Sequence, residues 1–149
     1  MPKIFYWEDF RPGDRIESPG ISVTEGAIID FAQRFDSQPF HMDREAAKES
    51  IYGGIIASGI HTVALTWRLL LSTGVLTANL GSPGFDELRW LRPVRPGDTL
   101  RVVAEVIDVH PSTHRPDRGT VRLRLTTMNQ HGEAVQTVLC NQLIARRRE

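Results

Sequence analysis

Apolar and polar positions change rhythm midway along the chain. From Thr24 the apolar residues Ile28, Ile29, Phe31, Ala32 and Phe35 recur at helical spacing, and threonine is a residue type that caps such a helix. Gln38-Pro39 stops it. Asp43 caps a second, short helix through Ala46 and Ala47, which Gly53-Gly54 ends. The longest helical pattern covers 58–71. Its apolar positions, among them Ile60, Val63, Leu65, Trp67, Leu69 and Leu70, occupy most of the circumference, which predicts a buried helix. Upstream, Arg11-Pro12-Gly13-Asp14 marks a turn before a strand over 15–23.

Beyond the long helix the period drops to two. Segments 88–91, 99–109, 120–128 and 134–145 are rich in β-branched residues, and Val121, Leu123 and Leu125 alternate with Arg122, Arg124 and Thr126. Asn129-Gln130-His131-Gly132 reads as a hairpin turn between the last two. Long half-buried strands after a buried helix predict an α+β fold: an antiparallel sheet wrapped around one long helix. There is no internal repeat, and 149 residues is the size of one domain spanning 1–149.

Charge and composition narrow the function classes. Eighteen basic and eighteen acidic side chains cancel, which argues against a general nucleic-acid binder. One cysteine, Cys140, forms no internal disulfide and anchors no metal set, so the chain fits a reducing cytosol and a cytoplasmic location. The first ten residues lack the apolar run of a signal peptide. The most apolar stretch, 55–71, is interrupted by Ser58, His61 and Arg68, so no membrane span is expected. No cofactor or metal site is expected. His110 and His114 lack a supporting carboxylate or cysteine framework.

The densest chemistry lies in Asp36-Ser37-Gln38-Pro39-Phe40-His41-Met42-Asp43. Pro39 restricts itself and Gln38, which predicts a stiff loop carrying Asp36 and His41. An ionised carboxylate and an imidazole near one small molecule can activate one water and return one proton. The same residues also read as a helix cap and an ordinary loop histidine, and the spacing alone does not choose between the two. His61, inside the first turn of the long helix, reads as a satisfied core histidine. Trp90 reads as core or dimer interface.

That block, followed by Ala46-Ala47 and by Gly53-Gly54-Ile55-Ile56-Ala57-Ser58-Gly59, resembles the hydratase motif of the MaoC-like hydratase/dehydratase family. Pro93-Val94-Arg95-Pro96-Gly97-Asp98-Thr99-Leu100 is similar to that family's second-half turn. The resemblance runs from about Trp7 to Ala145. It implies a hot-dog fold, pairing of two such domains into a homodimer or higher homo-oligomer, and an acyl-CoA thioester as substrate. It implies that Asp36 and His41 hold a water that adds to the β-carbon of a trans-2-enoyl thioester, giving the (R)-3-hydroxyacyl product. Ser58 and Gly59, at the start of the long helix, are the candidates for meeting the thioester oxygen with backbone N–H groups. Gly59 would also let substrate approach the backbone. Gln38, Pro39, Phe40 and Tyr52 are candidates for lining the substrate site.

Three positions depart from the family pattern: Gln38 where asparagine is frequent, Ser58 where histidine is, and Ala64 where a serine is. They leave the acyl group unspecified. Arg89, Arg92 and Arg95, and the terminal Arg146-Arg147-Arg148, read as solvated charges or as partners for coenzyme A phosphates. Two other activities compete with hydration. A hot-dog thioesterase would place a carboxylate on or beside the central helix, and 58–71 contains none. A non-catalytic acyl-CoA-binding subunit would commonly lack the aspartate or the histidine, and both are present.

Overall fold

The computed structural model describes all residues from Met1 to Glu149. Two short strands, β1 (Arg15–Glu17) and β2 (Ile21–Ser22), precede the helices α1 (Glu25–Phe35), α2 (Pro39–Met42), α3 (Arg44–Glu49) and α4 (Gly59–Ser72). Four long strands follow: β3 (Asn79–Trp90), β4 (Thr99–Pro111), β5 (Arg118–Met128) and β6 (Ala134–Ala145). The sheet order is β1-β4-β5-β6-β3, with β2 also paired to β4 and every pairing antiparallel. The class is α+β, as the change of period predicts.

The caps and alternations behave as their chemistry requires. Thr24 accepts the Ala27 N–H at the start of α1, and Asp43 accepts the Glu45 and Ala46 N–H groups at the start of α3. Along β5, Val121, Leu123 and Leu125 are buried while Arg122, Arg124 and Thr126 face outward. The core lies between this inner face and α4: Leu69 and Leu70 of the helix join Leu100, Val102, Leu123, Leu125, Val138 and Ile144. Asn129 closes the β5–β6 hairpin by accepting the N–H groups of His131 and Glu133.

Four local expectations need correction. The strand expected over 15–23 is two strands, because Ser18-Pro19-Gly20 intervenes. The strand expected over 88–91 is twelve residues long and starts at Asn79. Gly81, Pro83 and Gly84 look like a turn, yet they lie in an edge strand whose register slips at Gly81, at Gly84 and between Asp86 and Arg89. An edge strand tolerates a missing proline donor and bulges that a central strand does not. Pro39 does not hold 36–41 in a loop; it opens the one-turn helix α2, since its missing N–H is unneeded at a first helical position. Finally, α4 is buried on one face only. His61, Thr62, Thr66, Leu69 and Leu70 point inward, whereas Ile60 and Leu71 are about half exposed.

Candidate active site

Asp36 is the C-cap of α1, and its N–H donates to Ala32 O, so the helix end sets the carboxylate position. Two residues later Gln38-Pro39 starts α2, which brings His41 back toward Asp36. Between α3 and α4 the chain runs extended through Ile55–Ser58. It is pinned on both sides, the Ile56 N–H donating to Phe40 O at 3.3 Å and the Ala57 N–H to Val94 O at 2.8 Å. That segment supplies the remaining partners of the pair.

The Asp36 carboxylate accepts from the Ser58 hydroxyl at 2.6 Å and from the Gln38 amide at 2.7 Å. The Ser58 hydroxyl beside it holds its pKa below the usual carboxylate value of 3.8, with the Gln38 amide and, when its ring is protonated, His41 acting in the same direction against partial burial. Asp36 is therefore ionised at neutral pH. His41 is buried, and its Nδ1 lies 2.7 Å from Ile56 O. A carbonyl oxygen only accepts, so Nδ1 carries the proton. In the neutral ring this leaves the lone pair on Nε2, which faces Asp36 Oδ2 at 3.4 Å. Two acceptors that close attract a shared donor, and a water lying beside them on the cleft side could donate to both.

Both residues line a cleft of about 610 Å³. Phe40, Tyr52, Ile56, Val94 and Trp90 form much of its apolar lining, and Gln38, Gly59, Ile60 and Thr62 also reach it. Phe40 packs edge-on against His41 and tilted against Tyr52, so both aromatic candidates line the site and Phe40 braces the imidazole. Pro39 does not line the cleft; it acts by starting α2.

Ser58 is completely buried and is the N-cap of α4, its hydroxyl oxygen accepting the Ile60 N–H while donating to Asp36. With that hydroxyl committed, the α4 end offers a ligand only backbone: the Gly59 and His61 N–H groups of the first turn have no intrahelical acceptor. The Cβ side of Gly59 is filled by a side chain of the protein and is not the open approach expected there, although the residue still lines the cleft. A Cβ there would overlap the indole Cε2, Cζ2 and Cδ2 atoms of Trp90. Trp90 is thus part of the site, which the sequence did not mark, and so is Ile56, whose contribution is a carbonyl that no side-chain pattern signals.

Other candidates separate. His61 stacks on Phe31 at 4.5 Å with rings 5° from parallel, but its buried Nδ1 has no hydrogen-bond partner, so it is a core histidine without being a satisfied one. Burial pushes its pKa below the usual 6.5. Arg92 reaches the cleft and pairs with Glu133 at 3.1 Å. Arg146 and Arg147 are tied to Glu8 and Asp9 at 3.0 and 2.9 Å, away from the cleft. No group of His, Cys, Asp and Glu is arranged to hold a metal ion, and no helix is long and apolar enough to cross a membrane.

Comparison with known proteins identifies the family and the fold. A family profile, the MaoC like domain, matches residues 9–129. The solved MaoC-like dehydratase from Rhodospirillum rubrum superposes with a TM-score of 0.92 at 44% identity, covering 97% of this chain and 99% of that one. The unliganded R-hydratase PhaJ1 from Pseudomonas aeruginosa superposes with a TM-score of 0.75 at 25% identity, over 97% and 88%. An uncharacterized protein of Bacillus subtilis is 32% identical over 124 residues, 83% of this chain and 86% of that protein. The fold is a hot dog.

Proposed function

The chain belongs to the MaoC-like domain family, and from that premise we propose that it is a hydro-lyase that reversibly adds water to a trans-2-enoyl thioester of coenzyme A. The observation that carries this reading is the polarity of the pair. His41 has one nitrogen fixed as donor to Ile56 O, and the other turned to Asp36 Oδ2 at 3.4 Å on an apolar cleft.

A water donating to both acceptors has an oxygen lone pair left for the β-carbon. As the carbon–oxygen bond forms, one water proton passes to the pair, and the pair returns a proton to the α-carbon. Charge that develops on the thioester oxygen meets the first-turn N–H groups of α4 at Gly59, where the helix dipole also favours it. Losing one such donor costs about 3 kcal/mol of transition-state stabilisation. Delivery of water from the Asp36–His41 side alone supports a single stereochemical course, and the likeness to the R-hydratase PhaJ1 supports the (R)-3-hydroxyacyl product.

The test is the loss of enoyl-thioester absorbance when pure protein meets crotonyl-CoA, with Asp36→Asn as control. Hydration by the wild type and not by the variant is the expected outcome. Release of free thiol in place of hydration would transfer the assignment to a thioesterase.

The same reading includes a second copy. β3 is paired on one side only, and its Phe85 touches Trp67 of α4 at 6.3 Å between ring centroids. Leu80, Phe85, Ile60 and Leu71 are all substantially exposed on this edge strand and on α4. An edge bearing apolar side chains is a template for pairing. A dimer mass in sedimentation equilibrium is expected, and a monomer at all concentrations would remove the homodimer from the proposal.

A further inference from the structure

Trp90 ends β3, and its register partner on β6 is Gln136. The indole N–H donates to Gln136 Oε1 at 3.0 Å and to Gly59 O at 3.1 Å. An indole nitrogen only donates, which fixes the amide orientation. The Gln136 amide nitrogen then donates to the Thr66 hydroxyl at 3.0 Å, and that hydroxyl donates to Thr62 O at 2.8 Å. Thr127 completes the set, its hydroxyl 2.5 Å from that of Thr66. Gln136, Thr66 and Thr127 are all buried.

A primary amide in a hydrophobic core is costly unless both of its ends are bonded. Here both ends are used, one on the cleft wall and one on the middle of α4. The wall needs such a tie. Trp90 stands at the end of an edge strand whose register slips between Asp86 and Arg89, with Glu87 at a φ of 51°. Without Gln136 the ring would be held by the bulged strand and the Gly59 carbonyl alone. With it, the indole lies flat against Gly59, in the space where any other residue would put a side chain. Its free face is turned to the cleft.

We propose that Trp90 is the specificity-determining wall of this site, stopping the acyl chain shortly beyond the reacting carbons, and that buried Gln136 is its positioning residue. This rests on the enoyl-thioester reading: the thioester oxygen meets the first turn of α4 at Gly59, and the ring packed on that residue stands within one side chain of the reacting atoms. The substrate class is a short enoyl thioester, and the limit on its length is set by a ring locked from beneath.

The experiment compares kcat/KM for crotonyl-CoA and 2-octenoyl-CoA, together with dissociation constants for butyryl-CoA and octanoyl-CoA, in wild type, Trp90→Ala, Trp90→Phe, Gln136→Met and the Trp90→Phe/Gln136→Met double variant. Trp90→Ala is expected to raise the long-to-short ratio about tenfold or more, chiefly through KM. Gln136→Met and Trp90→Phe should each raise it about threefold, the size of one lost hydrogen bond, and the double variant should match either single. Unchanged ratios in folded variants, or a fall in Tm alone for Gln136→Met, would overturn the assignment. Chain-length-dependent binding that shifts in the variants without any turnover would sustain the wall and remove the hydratase reading. Absence of both turnover and binding would remove the two together.

Discussion

Two polar systems meet at the first turn of α4, and they are built on opposite principles. On one side Asp36, Gln38, His41 and Ser58 are drawn together with acceptor capacity left over: the Asp36 carboxylate and His41 Nε2 face each other at 3.4 Å beside open space. On the other side Trp90, Gln136, Thr66 and Thr127 form a saturated chain in which each buried group has a partner. Unspent acceptors at a cleft are chemically useful, because a ligand or water can complete them. A saturated buried chain has nothing to offer a ligand and contributes shape and rigidity. Substitutions on the two sides should therefore separate: activity falls on the first, selectivity and stability shift on the second.

The largest expected effect is on the first side. His41→Ala removes one of the two acceptors and Asp36→Asn removes the charged base, and each should lower kcat by about a hundred- to ten-thousand-fold. Thermal stability should change far less than in a core truncation. Steady-state rates and Tm measured on the same preparations check this, and a variant that keeps its rate would return the pair to a capping role.

Ser58→Ala probes the element the two sides share. It deletes the α4 cap, worth about 1 kcal/mol of stability. It also removes the hydroxyl that is the main cause of the depressed Asp36 pKa. In the proposed mechanism the carboxylate is the active form; without the hydroxyl its pKa should rise, and the acid limb of the pH–rate profile should move to higher pH. A lower rate with an unmoved acid limb would mean that Ser58 serves the helix only.

Much of the first side was legible and none of the second. Asp36, Gln38 and His41 lie within six positions, and local rules for caps and prolines act over that range. Ser58 was found with the helix start, but its bond to Asp36 spans 22 positions and needed the fold. Trp90, Gln136, Thr66 and Thr127 come from β3, β6, α4 and β5, and only the sheet register brings them together. The long strands β4, β5 and β6 were readable because one face is wet. Most of β3 was not, because its glycines and proline announce a turn, and only its place at the sheet edge makes them tolerable.

Gly59→Ala tests the contact between the two systems. The new methyl would collide with the Trp90 ring, an overpacking expected to cost about 1 to 3 kcal/mol. Adding Trp90→Leu should restore much of the lost Tm, so the pair of changes should be strongly non-additive. Simple additivity would mean that the glycine is needed for backbone reasons and not to seat the indole.

The smallest effect concerns His61, which sits beside both systems and belongs to neither. Its ring is stacked on Phe31 with Nδ1 unpartnered, and burial lowers its pKa in the folded chain. The unfolded chain, with the ordinary value of 6.5, takes up the proton first. Protonation therefore favours unfolding: the stabilising contribution is complete above pH 6.5 and is lost as the pH falls from there toward the lowered folded value. Asp36, Glu8 and Asp9 have depressed carboxylate values, so their losses begin only near the ordinary values of 4.5 and 3.8, well below the pH at which the His61 effect sets in. His61→Phe keeps a flat ring against Phe31 and removes the titrating nitrogen. The variant should show a shallower fall of Tm with pH just below 6.5 while matching the wild type in hydration rate. An equal slope in both proteins would mean that His61 takes up its proton in the folded chain as readily as in the unfolded one, and that its burial does not tune stability.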